Sequence, residues 1–150
     1  MRGYTRLSAI FDGGATIPCS RFGRGNATIV MSLFNWLLVG HLIADWMLQN
    51  DWMARNKLQQ WLAPAIFVHC TIYTLTLLIM GWSWQPDHFV TPQSLLFGAG
   101  IFLSHWIIDA GNLAARWMQW LRQSRLPFVQ IMVDQTMHVV IIALLAEWLL

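Results

Sequence analysis

The sequence predicts an all-α, polytopic membrane protein built as a bundle of four transmembrane helices. Composition is the first observation behind this prediction, because 57% of the 150 residues are hydrophobic and only 11% are charged, whereas soluble domains are about a quarter charged. The second is that the apolar residues fall into four runs, each close to the roughly 20 residues that a helix needs to cross a bilayer. The third is that every lysine and arginine after Met31 lies between those runs.

Each apolar run predicts one helix. A backbone that crosses the hydrocarbon must satisfy its hydrogen bonds within the segment, which favours helices over irregular structure. Pro64 and Pro127 fall at the starts of two of the runs, where the missing N–H of proline is tolerated. The predicted helices cover residues 30–48, 62–82, 94–115 and 127–150.

The basic residues predict the orientation of the bundle. The first connection carries Arg55 and Lys57, and the third carries Arg116, Arg122 and Arg125, whereas the second has no lysine or arginine. Short loops on the cytoplasmic side of a membrane are enriched in these two residue types. The sequence therefore predicts that loops 49–61 and 116–127 are cytoplasmic.

The N-terminal residues differ from the rest of the chain. They are rich in glycine and arginine and show no apolar periodicity, so we expect a disordered, basic segment at 1–29 ahead of a transmembrane domain at 30–150. The predicted orientation leaves the arginines of this segment outside, against the charge rule. Because Met31 opens the first apolar run, we hypothesise that it is the native start.

Four histidines and three aspartates lie within the apolar runs. Residues four apart share one face of a helix, one turn above each other, so that two such side chains can point at a common centre. The seven form two H-x-x-x-D pairs, one reversed pair and one single histidine: His41 and Asp45, His105 and Asp109, Asp134 and His138, and His69. A shift of 64 residues maps the first pair onto the second, which is a weak internal repeat.

The predicted orientation brings all seven side chains into one layer of the cytoplasmic half. A carboxylate at the bilayer centre costs about 2.5–3.5 kcal/mol on insertion scales, so the aspartates need compensation. Mixed imidazole and carboxylate ligands suit divalent zinc, manganese or iron, and helical bundles hold such sites between facing helices. We therefore predict that all seven are metal ligands, with Gln135 as a hydrogen-bonding partner of the cluster.

A metal centre of this kind would most simply support hydrolysis. The ion activates a bound water, and one of Asp45, Asp109 and Asp134 then acts as general base. The embedded position predicts a lipid or lipid-linked substrate at the cytoplasmic leaflet. The small net charge of +2 argues against a nucleic-acid partner. The sequence leaves open whether the chain is an enzyme and whether it forms a homo-oligomer.

Two alternatives use the same side chains without hydrolysis. Intramembrane aspartate and histidine chains form proton or ion relays in transport proteins. Histidines and aspartates also pair across helices as structural contacts, each worth about 0.6 kcal/mol, which would suit a non-catalytic scaffold.

The pattern resembles a family of small bacterial multi-pass membrane proteins of unknown function. The resemblance covers about residues 33–150 and rests on the two H-x-x-x-D motifs, the segment 48–57, His69 and the D-Q-x-x-H motif that starts at Asp134. The H-x-x-x-D motifs are also distantly similar to families labelled inner-membrane metal-dependent hydrolases. These resemblances imply a bacterial inner-membrane location and metal-dependent hydrolysis.

Overall fold

The computed structural model describes residues 31–56, 61–86, 89, 91–123 and 126–150, and every regular element in these ranges is helical. The predicted all-α class is therefore confirmed, while the predictions for residues 1–29 lie outside the described part of the chain. The elements are α1 (Leu33–Leu42), a π-helical continuation of it (Ile43–Met47), α2 (Asp51–Asn56), α3 (Pro64–Trp84), α4 (Pro92–Ala110), α5 (Leu113–Trp120) and α6 (Pro127–Leu149).

Two or three of these helices are long and apolar enough to cross a bilayer, which marks the chain as a membrane protein. Helices α3 and α6 qualify by themselves, with 21 and 23 residues, and α4 qualifies when α5 is taken with it as one bent span. The remaining apolar helix, α1 with its π continuation, ends at Met47 and is too short for the same criterion. The structure thus supports two or three membrane spans, and the bundle of four transmembrane helices stays a prediction.

The third predicted helix is broken. The run 94–115 gives α4, a turn at Gly111 and Asn112, and a separate helix α5 inclined by 56°. Asn112 has a left-handed backbone with φ 46°, and a side chain at Gly111 would place Cβ 2.5 Å from the Ile107 carbonyl oxygen. Both features interrupt the helix although the sequence stays apolar across the break.

The two predicted cytoplasmic loops also contain helix. Within 49–61, α2 carries an exposed ion pair between Arg55 and Asp51, 2.7 Å long. Within 116–127, α5 continues to Trp120, burying Met118 while exposing Trp117. An amphipathic helix of this kind is typical of the membrane–water interface.

The bundle has two chemically different ends. Helices α1, α3, α4 and α6 pack in a closed ring in which each contacts two others. Near one end the Trp84 Nε1–H donates to the Met31 carbonyl oxygen, and towards the other the Trp106 Nε1–H donates to the Trp61 carbonyl oxygen. The end near Trp61 and Trp106 is here called the basic end. The described arginines lie there, in α2, in α5 and in the turn that follows α5: Arg55, Arg116 and Arg122.

The apolar core lies towards the end of the bundle opposite the basic end. Leu37 precedes His41 by one turn of α1, and Ile142 follows His138 by one turn of α6, so the apolar core lies on the side of the histidines away from the basic end. The buried apolar cluster comprises Leu37, Ala44, Tyr73, Leu77, Phe89, Phe97, Ile101 and Ile142. The buried histidines and aspartates therefore occupy the half of the bundle near the basic end.

Candidate metal centre

A π-helical turn at the end of α1 positions the first carboxylate. The Leu48 N–H donates to the Ile43 carbonyl oxygen over 2.9 Å, a spacing of five residues in place of the usual four. Ala44 and Asp45 are the buried residues of this turn. Such turns occur frequently at functional sites, and this one brings Asp45 into the bundle on the same helix as His41.

Three further helices supply the other buried polar side chains. His69 lies in the second turn of α3, and His138 lies in the fourth turn of α6. The last two turns of α4 carry His105 and Asp109. All four histidines are at most 2% exposed, and the two aspartates are 5% and 2% exposed. Charged groups buried to this degree need partners or a metal ion.

Four ligand atoms converge between α1, α3 and α4. The Nε2 of His69 is 2.9 Å from the Nε2 of His105, 3.2 Å from Asp45 Oδ1 and 3.4 Å from Asp109 Oδ2. Asp109 Oδ2 is in turn 3.5 Å from the Nε2 of His105. Neighbouring ligands at zinc-bond length from a tetrahedral centre stand about 3.3 Å apart, so these four contacts have the length found between neighbouring metal ligands.

His138 presents a nitrogen lone pair to the same carboxylate. Its Nδ1 is 2.8 Å from the Asp134 backbone carbonyl oxygen. Because a carbonyl can only accept, Nδ1 carries the proton, and in the neutral ring Nε2 is the acceptor. This Nε2 lies 3.5 Å from Asp109 Oδ1. Two buried acceptors that face each other need a cation or a second proton between them.

The structure brings five of the seven predicted ligands into two overlapping groups. One contains Asp45, His69 and His105, and the other contains His105, Asp109 and His138, each with its candidate ligand atoms within 4.8 Å of one another. His105 belongs to both groups, and Asp109 also contacts a histidine of each, since its Oδ2 faces His69 and its Oδ1 faces His138.

The other two predicted ligands, His41 and Asp134, lie outside both groups. His41 is fully buried, its ring stacks against that of His138 at 5.9 Å, and its Nδ1 hydrogen bonds the Tyr73 hydroxyl over 2.8 Å. Asp134 is half-buried and lines a pocket beside the centre. Both are therefore neighbours of the candidate ligands.

Tyr73 belongs to the site but was not among the residues predicted from sequence. Besides bonding His41, its ring stacks on that of His105 with centroids 3.7 Å apart. It follows His69 by four residues on α3, so the two share one helical face. The same spacing rule that found the H-x-x-x-D pairs would have found this H-x-x-x-Y pair.

Gln135 contacts a different aspartate from its sequence neighbour. Its side-chain N–H donates to Asp45 Oδ2 and its side-chain oxygen accepts from the Trp46 Nε1–H at 3.0 Å. Consecutive residues on a helix point about 100° apart, because a turn holds 3.6 residues. Gln135 therefore reaches α1, whereas Asp134 lines the pocket between α4 and α6.

That pocket connects the centre to the basic end. It has a volume of about 210 Å³ and contains Asp109, which is otherwise almost fully buried. Its polar wall also includes an interhelical hydrogen bond from the Gln130 side-chain nitrogen to Asn112 Oδ1. The lining residues are Ile108, Asp109, Asn112, Pro127, Gln130, Ile131 and Asp134.

Comparison with known proteins places the chain in a family without assigning an activity. Neither the curated proteins nor the solved structures contain a match to it. A family model described as a protein of unknown function matches residues 33–150. This confirms the predicted resemblance to such a family, whereas the similarity to hydrolases stays a prediction. The chain therefore belongs to the DUF3307 family, a family of unknown function.

Proposed function

We propose that this protein is a four-span membrane protein that binds a divalent metal ion in the half of the bundle near its basic end. The convergence of the His69 and His105 nitrogens with oxygens of Asp45 and Asp109, all within 3.5 Å of a neighbour in the set, carries the proposal. Imidazole and carboxylate donors suit zinc, manganese or iron.

Simple hydrogen-bonded pairing accounts for two of these distances, 2.9 and 3.2 Å, and less well for the other two. An N–H···O hydrogen bond is usually 2.7–3.2 Å long, while Asp109 Oδ2 lies 3.4 and 3.5 Å from the nitrogens of His69 and His105. Pairing would also give each donor its own acceptor. Here two imidazole nitrogens converge on one oxygen, and a shared cation satisfies all three atoms together.

The packing of α1 supports the four-span topology. Although short, α1 contacts both α3 and α6 as a member of the ring, and a short hydrophobic helix is accommodated when the bilayer thins locally. The clustering of arginines at the basic end favours a cytoplasmic location for that end. A bacterial inner membrane is the compartment that the family resemblance implies.

Elemental analysis tests the metal centre directly. The full-length chain, purified in detergent without added chelator, is expected to carry one or two equivalents of a divalent transition metal. A variant with His105→Ala and Asp109→Ala should carry none while keeping its helical circular-dichroism spectrum. Metal-free parent protein, after reconstitution with zinc, manganese and iron, would refute the proposal.

The pocket beside the centre supports hydrolysis as the chemistry. About 210 Å³ is room for several waters or a small polar group in contact with Asp109. The ion would supply a water of lowered pKa. Asp134 lines the same pocket outside both ligand groups, so we assign it the general-base role: it takes the proton of the attacking water and returns it to the leaving oxygen.

The position of the pocket favours a lipid or lipid-linked substrate at the cytoplasmic leaflet. It opens between the end of α4 and the beginning of α6, next to the amphipathic helix α5. A headgroup at the interface could enter it while the lipid stays in the bilayer. A soluble substrate has no such reason to find a site inside a helical bundle.

Hydrolysis is tested with metal-loaded protein in phospholipid vesicles, by mass spectrometry of the released headgroups. The parent should release product, and Asp134→Asn should lower the rate about 10²–10⁴-fold while the metal content is unchanged. Equal rates in the two proteins would remove Asp134 from the mechanism. No release from any ester or phosphoester lipid would leave a metal-binding protein without hydrolysis.

A proton or ion relay has less support. The polar network runs from the pocket through Asp109 and His138 to the pair of His41 and Tyr73. Beyond it, in the described part of the bundle, the core is filled by apolar side chains such as Leu77 and Phe97. A transport path needs polar groups or water on both sides of the site.

A further inference from the structure

A hydrogen-bonded chain of three side chains connects the exposed surface of the basic end to a carboxylate of the metal centre. The Trp46 Nε1–H donates to the Gln135 side-chain oxygen over 3.0 Å, and the Gln135 side-chain N–H donates to Asp45 Oδ2. The exposed fraction falls along this chain, from 59% at Trp46 through the half-buried Gln135 to 5% at Asp45. An exposed indole is therefore two hydrogen bonds away from a candidate metal ligand.

The two partners of Gln135 fix which way its amide points. An indole N–H can only donate and an ionised carboxylate can only accept, whereas the amide has an oxygen on one side and an NH₂ group on the other. With its oxygen on Trp46, Gln135 turns its NH₂ group to Asp45. The reverse orientation would place N–H against N–H at Trp46 and oxygen against the buried Asp45 carboxylate, which is costly.

This orientation gives the two oxygens of Asp45 different partners. Oδ2 accepts from Gln135, and Oδ1 lies 3.2 Å from the Nε2 of His69. A carboxylate binds a metal ion through one oxygen or through both, and the amide on Oδ2 favours the first mode. Hydrogen bonds of this kind orient the side chains that bind a metal. Gln135 therefore holds Asp45 with Oδ1 available to an ion beside His69.

Trp46 resembles an ordinary membrane anchor in every respect except its hydrogen bond. The next two residues, Met47 and Leu48, are apolar and are 77% and 45% exposed, as expected at the membrane surface, where tryptophan is enriched. The polar tip of an anchoring tryptophan usually faces the wet side of the interface. Here the indole N–H instead points inward, to Gln135 of the neighbouring helix α6.

We propose that Trp46 is a positioning residue of the metal centre, which acts through Gln135 to keep Asp45 on the ion by one oxygen. The inference rests on the proposed metal centre and adds a means of its regulation, because the hold on the ion then depends on an indole at the membrane surface. Without the indole N–H, the Gln135 amide is free to turn. Asp45 can then rotate away from the ion or bind it through both oxygens, and either change alters the coordination without removing a ligand.

Cobalt substitution tests the proposal, because the intensity of the visible absorption of Co²⁺ reports its coordination number. Full-length protein in detergent is loaded with Co²⁺, and the affinity is measured by competition with a chelator. Trp46→Phe keeps an aromatic ring and removes the N–H. It should lower the affinity about two- to tenfold, the effect of one hydrogen bond, and change the absorption per bound cobalt. Gln135→Met, which removes both hydrogen bonds, should lower the affinity about 10–100-fold.

Two controls separate positioning from anchoring and from packing. Trp52→Phe changes a tryptophan of similar exposure, 49%, that is not bonded to Gln135, and it should keep the affinity and spectrum of the parent. Trp46→Phe added to Gln135→Met should lower the affinity no further, because the indole acts through the amide. A purely structural contact predicts a lower melting temperature for Trp46→Phe with the affinity and spectrum unchanged.

The outcomes distinguish failure of this inference from failure of the metal centre. Parent protein that binds no cobalt would refute the metal centre and the positioning role with it. If the parent binds cobalt, an unchanged affinity and spectrum in Trp46→Phe, or equal losses in Trp46→Phe and Trp52→Phe, would overturn the role of Trp46 and leave the metal centre standing.

Discussion

Replacing Asp109 with asparagine should remove the stabilisation that a bound metal gives to the bundle. Asp109 faces three histidines, with oxygens 3.4, 3.5 and 3.5 Å from the Nε2 atoms of His69, His105 and His138. Asparagine keeps the shape of the side chain and removes its charge. The variant should therefore pack normally and bind metal poorly.

The size of the effect follows from mass action. A ligand present at a hundred times its dissociation constant stabilises the folded state by about 2.7 kcal/mol. One kcal/mol shifts the melting temperature by about 2–4 °C for a chain of this size. Chelator should then lower the melting temperature of the metal-loaded parent by about 5–11 °C, and that of Asp109→Asn by almost nothing.

Thermal unfolding in detergent measures four melting temperatures, those of the parent and of Asp109→Asn with and without chelator. Asp51→Asn is the matched control, because it makes the same chemical change in an exposed pair with Arg55 and should keep the parent's sensitivity to chelator. Structural pairing without metal predicts a different pattern: Asp109→Asn lowers the melting temperature equally with and without chelator. That outcome would refute the metal centre.

Two further predictions concern residues that support the centre. Tyr73→Phe leaves His41 Nδ1 without its 2.8 Å partner but keeps the ring that stacks on His105; because His41 lies outside both ligand groups, metal affinity measured by competition with a chromophoric chelator should fall less than about tenfold, and a fall of about 10–100-fold would instead mark His41 as a ligand. Gly111→Ala places Cβ 2.5 Å from the Ile107 carbonyl oxygen and should cost about 1–3 kcal/mol in thermal unfolding. Gly98→Ala, which meets only the flexible side chain of Leu78 at 3.2 Å, should cost less, and equal losses would contradict this reasoning.

The helices that carry the site could be read from sequence because their signals are local. Pro64 and Pro127 each begin a helix, as predicted, and the four-residue spacing of each H-x-x-x-D pair fixes a shared face. The break after α4 could not be read from hydropathy, because Leu113 and the alanines that follow continue the apolar run. Its causes are a left-handed residue at Asn112 and a close backbone approach at Gly111, which hydropathy does not report.

The sequence also does not predict which neighbouring atoms a side chain contacts. Asp134 and His138 look like a ligand pair because they are four residues apart, yet the backbone carbonyl of Asp134 is what bonds the histidine. Gln135 was expected to hydrogen bond the cluster, and the atom that it meets is a carboxylate oxygen of Asp45 on another helix. Spacing predicts which residues share a face of one helix, while the neighbouring helices decide which atoms meet.

The internal repeat is incomplete at the position of the single histidine. In the first half, His69 stands between the two repeated carboxylates, 3.2 Å from Asp45 and 3.4 Å from Asp109. The shift of 64 residues maps His69 onto Val133, which lines an apolar groove between α5 and α6 and not the pocket of Asp109 and Asp134. The second half thus has no histidine at the position equivalent to His69. Val133→His should therefore leave the metal content of the purified protein unchanged, and a gain or loss of metal by elemental analysis would show that position 133 does reach the centre.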